Sequence, residues 1–395
     1  MALGAPADVD RGFGRDGAAT ADAGGSDYGN ALAVQPDGKI VVAGETSLKN
    51  DAAVFRLNPD GSPDRGFDDD GARTIDSGGS EEGHAIAIQP DGRIVVAGQT
   101  SVGLDAAVYR LNPNGSLDTG FDNDGALAID SAGFEYATAV ALQGDGKIVV
   151  AGRTSVNTSG AVYRLNTNGS LDTSFDLDGA RGIGLGGGET AEAVAIQPDG
   201  KVVVAGGSTF NNDDDAFAAR LNPNGTPDPG FGGGDGVASV ETGADDYAYA
   251  VAIQPDGKIL VAGETSVGDD ALAYRLLPDG SRDAGFGGDG SLVLGGSGLE
   301  QARAMALQAD GKILLAGDNS AAATDVLVYR LLGDSQAPAG PAAPAGPAAP
   351  AGPVVAAGPA GAIARPEPWR AAPASGRRSS ARRGPTASAA PAGPT

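Results

Sequence analysis

The chain has 395 residues, 41% of them hydrophobic, with 65 Gly, 25 Pro and a formal charge of −24. That is enough apolar material for a sizeable core, and the Gly and Pro content indicates turn-dense β structure, low complexity, or both. Cys is absent and His84 is the one histidine, which excludes disulfides, thiolate chemistry and multi-His metal sites.

The acidity repels phosphate backbones and argues against a nucleic-acid partner. No run of about 18 apolar residues occurs, so no membrane span is expected. In chain order, residues 1–8 lack the basic and apolar regions of a secretory signal, which leaves a cytoplasmic protein or a start further upstream. Residues 10–22 then read as the end of a unit: Asp10-Arg-Gly-Phe-Gly14, Asp16-Gly17 and a strand-like stretch from Ala18 to Asp22.

Complete units follow, marked by the tetrad Asp-Gly-(Lys/Arg)-(Ile/Val), whose glycines fall at Gly38, Gly92, Gly146, Gly200, Gly257 and Gly311. The period is 54 residues, with three extra residues in the fourth unit that the pattern assigns to loops around Asn211–Asp215 and Gly232–Gly236. The second unit shows the strands: Ala85-Ile-Ala-Ile-Gln89, a turn at Pro90-Asp-Gly92, then Arg93-Ile-Val-Val-Ala-Gly98. A variable loop leads to Ala106-Ala-Val-Tyr-Arg-Leu111, a turn at Pro113-Asn-Gly115, and a last strand through Gly125-Ala-Leu-Ala-Ile-Asp130. Pro presets the first turn position and Gly takes the left-handed one, so consecutive strands are antiparallel neighbours. No sustained 3.6-residue apolar period is present, so helices are expected to be minor.

Four-strand units of this size suit propeller blades; a β-solenoid, the alternative, has less use for tight hairpin turns. The last unit stops after Asp325-Val-Leu-Val-Tyr-Arg-Leu331, and the missing fourth strand is at the front of the chain. The expectation is therefore an all-β, six-bladed β-propeller over residues 1–334, four antiparallel strands per blade, closed by the N-terminal strand completing the last blade. Ala at alternate first-strand positions, such as Ala85 and Ala87, and the Ala-Gly pair ending each second strand fit crowding around an axis. Residues 335–395, Pro/Ala/Gly-rich with six Arg against one Glu, read as a disordered tail.

The runs Gln-Pro-Asp-Gly-Lys-Ile-Val-Val-Ala-Gly and Tyr-Arg-Leu-Asn-Pro-Asn-Gly-Ser-Leu-Asp-Thr-(Gly/Ser)-Phe resemble the delta-60 repeat family, a bacterial β-propeller domain of unassigned function. The resemblance covers about 325 residues. It implies a secreted or surface protein, which the N-terminus does not itself support. Copies one to three depart from it, with Phe-Asp-x-Asp-Gly where Phe-Gly-x-x-Gly is expected.

Positions common to all copies belong to the frame, so function is sought where the copies differ. The fourth-to-first and second-to-third loops open on one face. There the first strands offer Tyr28 and Asn30, Glu82 and His84, Tyr136 and Thr138, Thr190 and Glu192, Tyr247 and Tyr249, Gln301 and Arg303. The second strands add Glu45, Gln99, Arg153, Gly207, Glu264 and Asp318. Aromatic and mixed-charge groups around one mouth make a binding surface for a protein or glycan. Solvated loop ends are the bland alternative.

The repeated Arg56, Arg110, Arg164, Arg220, Arg275 and Arg330 are expected to pair with a carboxylate or carbonyl. The pattern Asp64/Asp68/Asp70, Asp118/Asp122/Asp124 and Asp172/Asp176/Asp178 offers clustered carboxylates suited to calcium, or else polar turns, since the spacing lacks the alternate ligands of an EF-hand. No other cofactor is expected. A non-catalytic binding or scaffold module, monomeric, is the leading reading. A propeller enzyme acting on a glycan and a ligand-free structural repeat are the rivals, and converging carboxylates with one buried and raised in pKa would mark the enzyme.

Overall fold

The computed structural model describes residues 10–332 except 131–132, 134, 156–158, 211–212, 241, 296–299 and 320–324. Residues 335–395, where the tail is expected, lie outside the described residues.

Twenty-three strands form six antiparallel sheets and, among the described residues, no helix. Blade 2 is representative: Glu81–Ile88, Ile94–Thr100, Asp105–Leu111 and Ala126–Ile129 pair in that order. Each turn closes as the Gly and Pro pattern requires; Gly92, at φ 84°, donates its N–H to the Gln89 carbonyl at 2.9 Å. Consecutive blades stack through their apolar faces, so that Val54 of blade 1 shares a core with Ile86, Val96 and Tyr109 of blade 2.

Five of the six third-strand arginines act as expected, Arg330 being the exception. Arg110 is 5% exposed, donates from Nε to Asp118 Oδ2 at 2.8 Å, lies 4.7 Å above the Phe121 ring, and donates from Nη1 to the Thr167 carbonyl of the next blade. The same clasp recurs at Arg56–Asp64–Phe67, Arg164–Asp172–Phe175, Arg220–Asp228–Phe231 and Arg275–Asp283–Phe286.

Three expectations need correction. The last sheet holds three strands, Glu300–Leu307, Ile313–Asn319 and Asp325–Leu331, and among the described residues no fourth strand pairs with the outer edge of the third. The N-terminal segment docks on blade 1 instead, where Gly14 N–H donates to the Asp60 carbonyl at 2.6 Å. This is the onward contact that the Phe loops of blades 1 to 4 make: Asp68 N–H donates to the Asn114 carbonyl, Asp122 to Asn168, Asp176 to Asn224 and Gly232 to Asp279. The segment thus keeps its grip on the following blade, while the two outer faces stay uncovered. Leu32 of blade 1 is 49% exposed against 3% for its counterpart Ile86, and Val328 of blade 6 is 59% exposed against 0% for Val108.

Second, two of the extra residues in blade 4 lengthen a hairpin rather than a loop. Val202–Phe210 and Asp213–Leu221 are nine residues each, against seven in the equivalent strands of blade 2, and they stay paired to their tips at Phe210 and Asp213.

Third, the Gly ending each second strand answers to its own blade, not to crowding about an axis. A Cβ on Gly98 would stand 1.8 Å from the Glu82 carbonyl oxygen, because the first strand bulges against it.

Candidate functional site

Every first strand carries that bulge, one residue out of register with its partner, at Asn30, His84, Thr138, Glu192, Tyr249 and Arg303. A bulge leaves a ladder carbonyl free and re-aims the side chain of the extra residue. In the first three blades the re-aimed side chain meets the carbonyl freed in the next blade. Asn30 Nδ2 donates to Gly83 O at 3.1 Å, His84 Nδ1 is 2.9 Å from Ala137 O, and Thr138 Oγ1 donates to Ala191 O at 2.5 Å. Asn30, His84 and Thr138, proposed from sequence as ligand contacts, are therefore latches between blades.

The last three blades break this rule. Glu192 makes no bond to the next blade's carbonyl; it accepts instead from Tyr247 Oη at 2.7 Å. Tyr249 donates to Glu264 Oε1 at 2.6 Å, and Gln301 Nε2 donates to the other oxygen of Glu264. Arg303 Nε donates to Asp318 Oδ1 at 2.7 Å, and its guanidinium lies 5.2 Å above the Tyr249 ring. Tyr247 and Tyr249 stand 4.9 Å apart at 45°. Gly207 leaves room for this arrangement, since a Cβ there would lie 2.2 Å from the Tyr247 ring.

A second knot is built on blade 2. Glu82 Oε2 accepts from Gln99 Nε2 at 2.7 Å and lies 3.0 Å from His84 Nε2, while Tyr136 tilts over the imidazole at 4.7 Å. Both ring nitrogens of His84 face oxygens. The hydrogen bond from His84 holds the Glu82 carboxyl below its ordinary range against the opposing effect of burial. Glu45, by contrast, is raised by burial and by the charge of Glu82.

Glu192 joins the two knots electrostatically. Burial pushes its carboxyl up, while Tyr247, His84, Arg153 and Arg303 pull it back, so that groups from blades 2 to 6 are felt at one carboxylate. Tyr247 and Tyr249 are both raised, first by burial and then by Glu192 or Glu264. Tyr28 stands apart, 58% exposed. Two open recesses of about 410 Å³ lie elsewhere, against Gly232, Asp279 and Arg282 and against Asp145, Arg164 and Pro223.

The expected calcium pattern is not brought together. Asp64, Asp118 and Asp172 are spent on the arginine clasps. Asp70, Asp124 and Asp178 each accept from a backbone N–H two residues on. Asp68, Asp122 and Asp176 take left-handed φ angles of 47°, 43° and 45°, the region where Gly14, Gly232 and Gly287 stand in the corresponding loops. Asp tolerates that region better than most residues, which accounts for the departure from Phe-Gly-x-x-Gly.

Six stacked antiparallel blades define a β-propeller repeat protein. Its six repeats match the model of a β-propeller family, described as a domain of unknown function (DUF5122) beta-propeller, at residues 35–67, 89–121, 143–175, 197–231, 254–286 and 308–336. The first five of these segments each run from the Gln before the first turn to the Phe of the clasp, so the first-strand residues of the site fall outside them.

No curated protein matches the chain. Among solved structures it is similar to a catalytically inactive virginiamycin B lyase from Staphylococcus aureus (10% identity, 78% of this chain, 85% of that one, TM-score 0.49). It is also similar to the hydrazine synthase of Kuenenia stuttgartiensis (17%, 78%, 84%, 0.47) and to Sqt1 from Chaetomium thermophilum (15%, 78%, 69%, 0.45). None of these likenesses bears on the chemistry of the rim.

Proposed function

We propose that the protein is a non-catalytic binding module of the delta-60 type, working at or outside the cell surface, and that its rim takes a hydroxyl-rich ligand such as a glycan. One observation carries the reading. In blades 4 to 6 the bulged positions are released from latching and present Glu192, Tyr249 and Arg303 beside Tyr247, Glu264 and Gln301. Paired tyrosine faces with carboxylate, amide and guanidinium groups at their edges supply stacking and bidentate hydrogen bonding together, which is what a sugar ring requires.

The test is a glycan array followed by calorimetry on the best hit. Tyr249→Ala and Gln301→Ala are expected to weaken binding at least tenfold, while Tyr28→Ala leaves it unchanged. Equal affinity in all three variants, or no glycan bound by the native chain, overturns the reading.

A second reading has its own support, because the raised carboxyl of Glu192 beside a tyrosine hydroxyl is what a general acid needs. Incubating the bound glycan with native chain and with Glu192→Gln separates the two. Breakdown by the native chain alone identifies a hydrolase or lyase, and an intact glycan in both leaves the binder.

A further inference from the structure

Strand alternation turns Glu82 toward the rim and its neighbour Glu81 into the junction between blades 1 and 2. There Asp51, Asp76 and Glu81 each place a carboxylate oxygen within 4.8 Å of the others. Glu81 is 0% exposed and Asp51 3% exposed. One oxygen of Glu81 accepts from Ser77 Oγ at 2.7 Å, Gly79 N–H at 3.0 Å and Thr100 Oγ1 at 3.3 Å. Its other oxygen, Oε2, and Asp51 Oδ1 are buried with no partner. Lys49 reaches Asp76 at 3.1 Å, so three carboxylates face one ammonium.

The cluster recurs at the next junction. Asp105, Asp130 and Glu135 again bring one oxygen each within 4.8 Å, and Gly103 occupies the position of Lys49. The third junction shows which part of this the fold needs. Glu189 alone is kept there, accepting from Leu185 N–H at 2.9 Å and Gly187 N–H at 2.8 Å, while Ser159 and Gly184 replace the two aspartates. The loop therefore keeps the glutamate as its cap where both aspartates are gone, and at the first two junctions Asp51 and Asp105 add a second buried carboxylate beside it. Burial and the neighbouring carboxylates accordingly raise Asp51 and Asp105.

We propose that these two junctions each bind one calcium ion, the first through Asp51, Asp76 and Glu81 and the second through Asp105, Asp130 and Glu135. An all-oxygen donor set favours a hard cation, and oxygens spaced this far apart span an ion held at about 2.3–2.6 Å better than the tighter magnesium shell. The proposal is independent of what the rim binds.

Tyr109, buried at this junction and sensitive to both Glu81 and Asp51, provides an intrinsic antenna for terbium. Terbium luminescence displaced by calcium, with calorimetry of calcium itself, is expected to give two sites per chain. Asp51→Asn should leave one site and Asp51→Asn with Asp105→Asn none, whereas Asp70→Asn, a turn residue, should leave both. Calcium should raise the thermal midpoint of the native chain and not that of the double variant. Without metal the double variant should be at least as stable as the native chain, which confirms its fold. No binding at millimolar calcium, or an unchanged stoichiometry in the folded double variant, overturns the proposal. Should that variant not fold, a native stoichiometry other than two does so.

Discussion

Replacing Arg110 by Met keeps the aliphatic stem and removes the guanidinium. The change strands Asp118 and costs the hydrogen bond to Thr167 and the cation–π contact with Phe121. Breaking one side of a buried pair costs about 3–5 kcal/mol, and the lower end applies because Arg93 Nε remains 3.0 Å from Asp118. With a urea dependence of about 3 kcal/mol per molar, the midpoint of unfolding by circular dichroism should fall by about 1 M. Adding Asp118→Asn should restore part of the loss by removing the stranded charge.

Arg330 is the internal control. It occupies the same repeat position but is exposed, with no carboxylate partner among the described residues, so Arg330→Met should stay within about 0.5 kcal/mol of the native chain. A near-zero effect of Arg110→Met refutes the clasp as a source of stability. An equally large loss for Arg330→Met refutes the uncovered last blade, and means that Asp10 and Phe13 complete it in solution.

The clasps also set the acid limit. Burial works to raise Asp64, Asp118, Asp172, Asp228 and Asp283, but hydrogen bonds and the paired cations outweigh it and lower all five. Their folded pKa lies below the unfolded value, so their stabilisation is present above about pH 4 and is lost as pH falls through the folded values; urea midpoints should drop steeply from pH 4 to pH 2, and a flat profile would contradict this. Glu192 has the opposite sign. Its raised carboxyl means that ionisation costs stability once the pH passes the unfolded value, so Glu192→Gln should raise the melting temperature at pH 7, and the gain should vanish near pH 4. Gly98→Ala, with its Cβ forced onto the Glu82 carbonyl, should cost more than about 4 kcal/mol, whereas Gly182→Ala, which meets nothing within 4 Å, should be neutral or gain about 0.4–1 kcal/mol by the same denaturation assay.

The blade plan was legible because hairpin turns and apolar alternation are local, and the arginine partnership because its carboxylate lies only eight residues on. The aspartate pattern, open to calcium or to polar turns, resolves into turns and clasps for the same reason. Asp64, Asp68 and Asp70 are close in sequence, yet each is spent on a different local bond, while Asp51, Asp76 and Glu81 meet across 30 residues and two blades. The latch function of Asn30, His84 and Thr138 was hidden because their partners are backbone carbonyls, which carry no residue identity. Closure by the N-terminal strand was a topological argument, and chain order alone does not say which neighbour a segment grips.

The repeated bulge makes evolution of the rim unusually cheap. It sets one side chain per 54-residue unit outside the ladder, so that residue can be exchanged without disturbing the strand pairing on either side. Duplicating the unit therefore copies a scaffold together with one rewritable character. Three of those characters are written as fastenings to the next blade, and three, Glu192, Tyr249 and Arg303, are written otherwise.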